Sequence, residues 1–136
     1  MSEDYQYISQ NIIQCITSEL GCEKYTKTEN GSILFTYHNL AYLCINDIND
    51  PFYLRIILPN IDDINKTDNK FLLKLLELNA KFKVGKFVVM ENSIWVVAEV
   101  ILTGTTRMMQ TFVDLVSLLE QMRSEYAEYV KTELNR

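Results

Sequence analysis

The sequence is poor in the residues from which most catalytic and binding motifs are built. Among 136 residues there are one His, four Gly, two Pro and three Cys. A single imidazole leaves no His-based metal set, and so few glycines leave no glycine-rich phosphate loop. Cys15, Cys22 and Cys44 are odd in number and form no CxxC pair, so neither a disulfide framework nor a zinc knuckle is expected. They read as reduced, mostly buried thiols of a cytoplasmic protein. Long apolar runs are missing too: 94–98 is broken by Glu99 before 100–102, against the roughly 20 residues that cross a bilayer. The opening Met1-Ser2-Glu3-Asp4 has no basic or apolar signal region, so no secretory leader is expected. Positive charge is in deficit, with 13 Lys and Arg against 18 Asp and Glu and a net charge of −5. That balance argues against nucleic acid or an anionic membrane surface as the partner.

Apolar residues, by contrast, are plentiful. They make up 48% of the chain, too many for a disordered protein. The length suits one domain with one core, taken as residues 1–136. Hydrophobic periodicity then divides the chain. Tyr5, Ile8, Ile12, Ile13, Ile16 and Leu20 recur at three- and four-residue steps and predict a helix over 4–20, with Ser2 or Asp4 as cap and Gly21 as its exit. The period changes to two for strands at 24–28 and 32–38, hinged at Asn30-Gly31, and Asn39 turns into a strand at 40–46. A fourth strand, 52–58, should stop at Pro59. Thr67 would cap a helix ending near Phe82, with Phe71, Leu72, Leu75, Leu78 and Asn79 on one side. Gly85 marks its exit. Strands at 86–90 and 94–102 pair through Glu91-Asn92-Ser93. The last helix starts at Thr105 or Thr106 and continues almost to Arg136. Its stripe of Met108, Phe112, Leu115, Leu119, Met122, Tyr126 and Tyr129 has heptad spacing. Nearly thirty residues span roughly 45 Å, against a radius of gyration near 14 Å. Either the helix lies diagonally across the sheet, or its C-terminal half overhangs and finds a partner. The order α-β-β-β-β-α-β-β-α predicts an α+β, two-layer fold with an antiparallel sheet.

Chemistry is hard to assemble from these parts. His38 has no His or Cys at ligand spacing. Asp63, Asn65 and Thr67 imitate the start of a calcium loop, but no Gly stands sixth and Lys74 occupies the place of the bidentate Glu. These, like Asp47, Asn49 and Asp50, read as turn residues. No GxSxG context supports a nucleophile. Gly104-Thr105-Thr106-Arg107 reads as a helix cap rather than an anion loop. Glu99 interrupts an apolar strand, and pairing with a Lys explains it without catalysis. No metal, cofactor or catalytic residue is therefore expected.

Unspent apolarity remains. In the final hairpin Val88, Met90, Ile94, Val96, Ala98 and Val100 are assigned to one face, and Phe87, Val89, Trp95, Val97 and Ile101 to the other. A half-solvated sheet alternates apolar with polar, and these strands do not. Either the protein's own helices bury both faces, or one face meets a partner. The partner-binding candidates are Phe87, Val89, Trp95, Val97 and Ile101 in the hairpin and Met122, Tyr126 and Tyr129 on the last helix.

The order of elements resembles the type III secretion chaperone-like fold, shared by YbjN-type domains and CesT-like chaperones. Ile33-Leu34-Phe35-Thr36-Tyr37 with Leu40-Ala41-Tyr42 resembles the YbjN strand-turn-strand. Tyr53-Leu54-Arg55-Ile56-Ile57-Leu58-Pro59 is similar to the strand before its middle helix. Asn79-Ala80-Lys81-Phe82-Lys83-Val84-Gly85-Lys86-Phe87 is similar to the passage into its last hairpin. The resemblance spans nearly the whole chain and implies a non-enzymatic, often homodimeric protein that holds a polypeptide. The alternative is a small-ligand or sensory module with an aromatic pocket between sheet and helices, since the chain has eight Tyr and six Phe.

Overall fold

The computed structural model describes residues 3–65, 68–103 and 107–134. Helix α1 (Glu3–Gln14) runs into a π-helical turn (Cys15–Glu19) and is followed by β1 (Tyr25–Lys27), β2 (Ile33–Tyr37), β3 (Leu40–Asp47) and β4 (Asp50–Asp63). Helix α2 (Asn69–Asn79), β5 (Gly85–Met90), β6 (Ser93–Ile101) and α3 (Met108–Glu133) complete the order. The strands form one six-stranded sheet, β1-β2-β3-β4-β6-β5, antiparallel at every pairing. This is the expected α+β order. The proposed caps Ser2 and Thr67, the helix start at Thr105 or Thr106 and the far end at Arg136 lie outside the described residues.

Local chemistry explains the hairpins. His38 and Asn39 both have positive φ, 51° and 63°, and join Tyr37 to its cross-strand partner Leu40. Two left-handed residues in succession match the twist of the flanking strands. Gly31, at φ 89°, turns the β1–β2 hairpin, and Asn30 accepts the Ser32 amide at 3.1 Å. Between β3 and β4 the Asp47 carboxylate accepts the Asn49 amide at 2.8 Å, the Asx-turn role expected of that acidic loop.

Several boundaries differ from expectation, and α2 ends at Asn79 rather than near Phe82. The first helix widens at its end: the Leu20 amide bonds to the Cys15 carbonyl, 2.9 Å away and five residues back. Gly21 then exits at φ 73°, the place assigned to it. The α2 cap is Asp68, whose carboxylate accepts from the Phe71 amide at 3.1 Å. Pro59 does not end the fourth strand. Leu58 faces Val96 and Asp62 faces Ile94, so four steps along β4 match two along β6. Pro59 and Asn60 (φ 54°) occupy that bulge, where a missing N–H breaks no ladder bond.

The three α-helices among the described residues serve one face of the sheet. Ile12, Ile16, Phe71, Leu75, Phe112, Leu119 and Met122 pack with Ile33, Tyr42, Leu54, Ile56, Ile94, Val96 and Ala98 in one core cluster. The 26-residue α3, about 39 Å long at 1.5 Å per residue, crosses β4, β5 and β6 and also meets α1. Its stripe therefore lies against its own sheet, and the overhanging alternative is set aside. Gly85 lets it approach: a Cβ there would sit 2.5 Å from Met122 Sδ and 3.1 Å from Leu118 Cδ2.

The outer edge of β5 is partly closed by α2. The Asn79 side chain accepts from the Phe87 amide at 2.6 Å and donates to the Phe87 carbonyl at 3.1 Å. An amide with one acceptor and one donor imitates a neighbouring strand at that residue, one way of protecting a sheet edge.

Candidate binding surface

Among the described residues, no helix lies on the opposite face of the sheet. Every strand residue of the core cluster points toward the helices, and the residues between them point away. Register aligns the latter into rows. Leu34, Leu43, Ile57 and Val97 are successive cross-strand partners over four strands. Trp95 faces Val88, and Tyr53 faces Ile101. Ile101 keeps 70% of its surface exposed, while Ile57 and Val97, at the middle of the row, keep only 4% and 6%. Leu34 and Met90 are also exposed. Monomeric proteins seldom leave such a band uncovered without a use for it.

A charged row crosses the band. Ile45, Arg55 and Glu99 are cross-strand partners in turn. Glu99 Oε1 lies 3.4 Å from Arg55 Nε and 3.2 Å from Lys86 Nζ. Arg55 Nη2 donates to the Tyr53 hydroxyl at 3.3 Å. Pairing with a lysine thus accounts for Glu99, as its sequence context implied. Trp95 is fixed in place by the bulge, because its indole N–H donates to Asn60 Oδ1 at 3.0 Å, and Ser93 Oγ donates to the same oxygen at 2.9 Å.

The eight candidates do not form one surface. Trp95, Val97 and Ile101 lie on the open face. Phe87 and Val89 lie on the other, because the turn holds two residues, Glu91 and Asn92, rather than three. Met90 consequently faces Ser93, and Phe87 faces Val96. One residue of slip exchanges every β5 side chain between faces. Val88 and Met90 therefore belong to the open face, and Phe87 is in the core. Met122 and Tyr126 are buried beneath α3, and Tyr126 donates to Asp62 Oδ2 at 2.6 Å. Tyr129 is half-buried at the helix end, with the Lys74 ammonium 5.9 Å from its ring centre. Sequence reasoning missed Leu34, Leu43, Ile45, Arg55 and Lys86 as surface partners; only register brings them together.

Among the described residues the imidazole meets a carboxylate rather than a thiol. The imidazole of His38 is 2.9 Å from Glu120 and stacks on Tyr37, while all three thiols are buried. Desolvation, and secondarily Glu19, pushes Cys15 up to about 12, and burial raises Cys22 and Cys44 as well. Neutral thiols are poor nucleophiles and poor metal ligands. Among the described residues no cluster of three or more His, Cys, Asp or Glu side chains could hold a metal, and no helix is long and apolar enough to cross a membrane. A concavity of about 690 Å³ opens between α1, the start of α3 and the start of β4. Tyr7, Phe52, Met108 and Met109 line it, with Arg107 and Glu19 among its polar groups.

This fold matches that of solved type III secretion chaperones. The structure superimposes on ExsC in the ExsC–ExsE complex with a TM-score of 0.68, over 93% of this chain and 94% of that one, at 11% identity. It superimposes on the Yersinia pestis type III secretion chaperone SycH, solved with a stable fragment of YscM2, with a TM-score of 0.60. That match covers 86% of this chain and 98% of the other, at 17% identity. No family model matches the sequence, and no curated protein matches it in sequence.

Proposed function

We propose that this protein is a non-enzymatic, chaperone-like adaptor that holds a polypeptide segment of a partner protein on its open sheet face. One observation carries the reading: an apolar band over four adjacent strands lies on the face where the described residues place no helix, and Leu34, Met90 and Ile101 are exposed on that face. Two similarly folded proteins, ExsC and SycH, were solved in complex with protein partners, which supports it. In this proposal the chain 1–136 acts as one α+β unit in the cytoplasm of a bacterium, and the strand texture of 33–42 and 53–59 supports a nearer likeness to YbjN-type domains than to CesT-like chaperones. A homodimer completes the proposal. Since the α3 stripe is occupied internally, the dimer contact falls to the outer side of α2, where Leu73 and Leu76 are 63% and 64% exposed.

Selection of phage-displayed 12-residue peptides tests the binding role. Peptides should be recovered on the wild-type protein and lost on an Ile101→Glu variant. Recovery that ignores Ile101 would sink the assignment. Light scattering should give a dimer that Leu73→Glu/Leu76→Glu converts to monomer; an unchanged mass removes α2 from the interface. A second reading rests on the concavity beside α1, whose volume lies within the usual range for small-molecule sites. A thermal-shift screen of small metabolites that raises Tm only when Met109 is intact would support it.

A further inference from the structure

We infer that the segment bound on the open face is an extended strand with an acidic residue between two apolar ones, at alternate positions. The inference rests on the proposed polypeptide-binding role and specifies what that role recognises. Its basis is a charged cluster within the apolar band: Arg55 and Glu99 share one row, and Lys86, paired with Val97 on the neighbouring row, reaches Glu99 diagonally. Arg55 and Lys86 share a single carboxylate, Glu99, whose Oε1 serves both. The cluster therefore carries one net positive charge. Arg has five N–H donors and Lys three, more than one carboxylate and the Tyr53 hydroxyl can absorb, so donors remain for an incoming acid.

Spacing sets the pattern. Along β4 and β6 the open-face rows follow one another as Ile57 with Val97, then Arg55 with Glu99, then Tyr53 with Ile101. Successive rows are two residues apart, roughly 6.6–6.8 Å along a strand. An extended ligand has the same period on the side it presents. Its residues i, i+2 and i+4 fall over an apolar row, the charged row and an apolar row in turn. The motif is apolar-x-Asp/Glu-x-apolar, with the carboxylate bridging Arg55 and Lys86 in charge-assisted hydrogen bonds.

Charge also decides between this occupant and a second copy of the chain. A two-fold pairing centred on the face would set Arg55 and Lys86 against their own images, which opposes like charges across a desolvated contact. The chain as a whole is at −5, which repels a strongly acidic tract over distances within the Debye length of about 8 Å. One acidic residue flanked by apolar ones satisfies both conditions.

The test extends the phage selection. A variant carrying Arg55→Glu, Lys86→Glu and Glu99→Lys reverses each charge while retaining every ion pair, and circular dichroism and its melting curve report whether it folds. Arg55→Gln/Lys86→Gln serves if it does not. Wild-type protein should enrich Asp or Glu between alternate apolar residues, and the reversed protein should enrich Lys or Arg there. A fluorescein-labelled synthetic peptide of the recovered sequence should bind about tenfold more weakly to wild type when its acid is changed to Lys, and regain affinity on the reversed protein. With the glutamine pair, the acid preference should disappear. Apolar peptides enriched without regard to charge would overturn this inference and leave the polypeptide-binding role standing. Enrichment independent of Ile101 would overturn both. A change in oligomeric mass on charge reversal would make the face a self-contact and also refute the acidic-segment assignment.

Discussion

Replacing Asn79 tests how the sheet edge is closed. In the folded chain its side-chain amide makes two hydrogen bonds to one residue of β5, at 2.6 Å to the Phe87 amide and 3.1 Å to its carbonyl. Each contributes on the order of 1 kcal/mol net, and a buried backbone group left without a partner adds to the loss. Asn79→Ala removes both while improving helix propensity by several tenths of a kcal/mol. The balance is a destabilisation of about 1.5–2 kcal/mol. For a chain of this length that is a fall in Tm of roughly 5–9 °C. Asn79→Asp separates the two bonds, because its carboxylate still accepts from the Phe87 amide but opposes the carbonyl. It should fall less than Ala. Calorimetry gives the order, and hydrogen exchange at Phe87 should accelerate in both variants, more in Ala. If Ala costs under 0.5 kcal/mol and matches Asp, the side chain merely fills space and the edge is closed by α2 packing.

The remaining expectations concern thiols, packing and the indole. Cys15 has an ordinary value of 9.0 and is held near 12 in the fold, so above pH 9 the unfolded chain ionises while the folded one keeps its proton. Stability present below pH 9 should then decline by up to about 1.4 kcal/mol per pH unit between 9 and 12; a Cys15→Ala variant should show a shallower decline in urea melts, and equal slopes would contradict the assignment. At pH 8 an aromatic disulfide reagent should label the native protein slowly and all three cysteines rapidly in denaturant; prompt native labelling would show the thiols accessible. Gly85→Val drives a branched side chain into Met122 and Leu118 and should cost about 1–3 kcal/mol, read as a lowered midpoint in urea. Asn60→Ala frees the Trp95 indole N–H, so its emission should shift and its anisotropy fall, with Tm lowered as well because Ala is strained at φ 54° and Ser93 loses its acceptor; an unaltered spectrum would mean that packing alone orients the ring.

The order of elements was legible because each has a clean period or a turn residue with a mechanism, as at Asn39 and Gly31. The two faces of the last hairpin were not. Strands apolar on both sides carry no alternation to fix register, so the count at Glu91-Asn92-Ser93 had to decide it. A three-residue turn pairs Met90 with Ile94, whereas the actual turn pairs Met90 with Ser93, and this moves Phe87 inward and Val88 outward. The stripe on α3 shows a related ambiguity, since heptad spacing looks the same against a partner helix as against the chain's own sheet. Pro59 was read by a sound rule whose exception, a bulge, depends on pairing with β6. Arg55 and Lys86 stand 31 positions apart, and only the completed sheet makes them neighbours of Glu99.

The bulge in β4 has a bearing on how this chain could change its length. It inserts an even number of residues, four steps of β4 against two of β6, so the side chains before and after it keep the same parity. Deleting one residue there would turn Asp62 outward and take the carboxylate away from the Tyr126 hydroxyl. Deleting two would restore a regular ladder and preserve the core, but it would remove Asn60 and release Trp95. Fold and binding face therefore tolerate different edits at one spot: the architecture survives even-numbered changes, whereas the indole's orientation survives none.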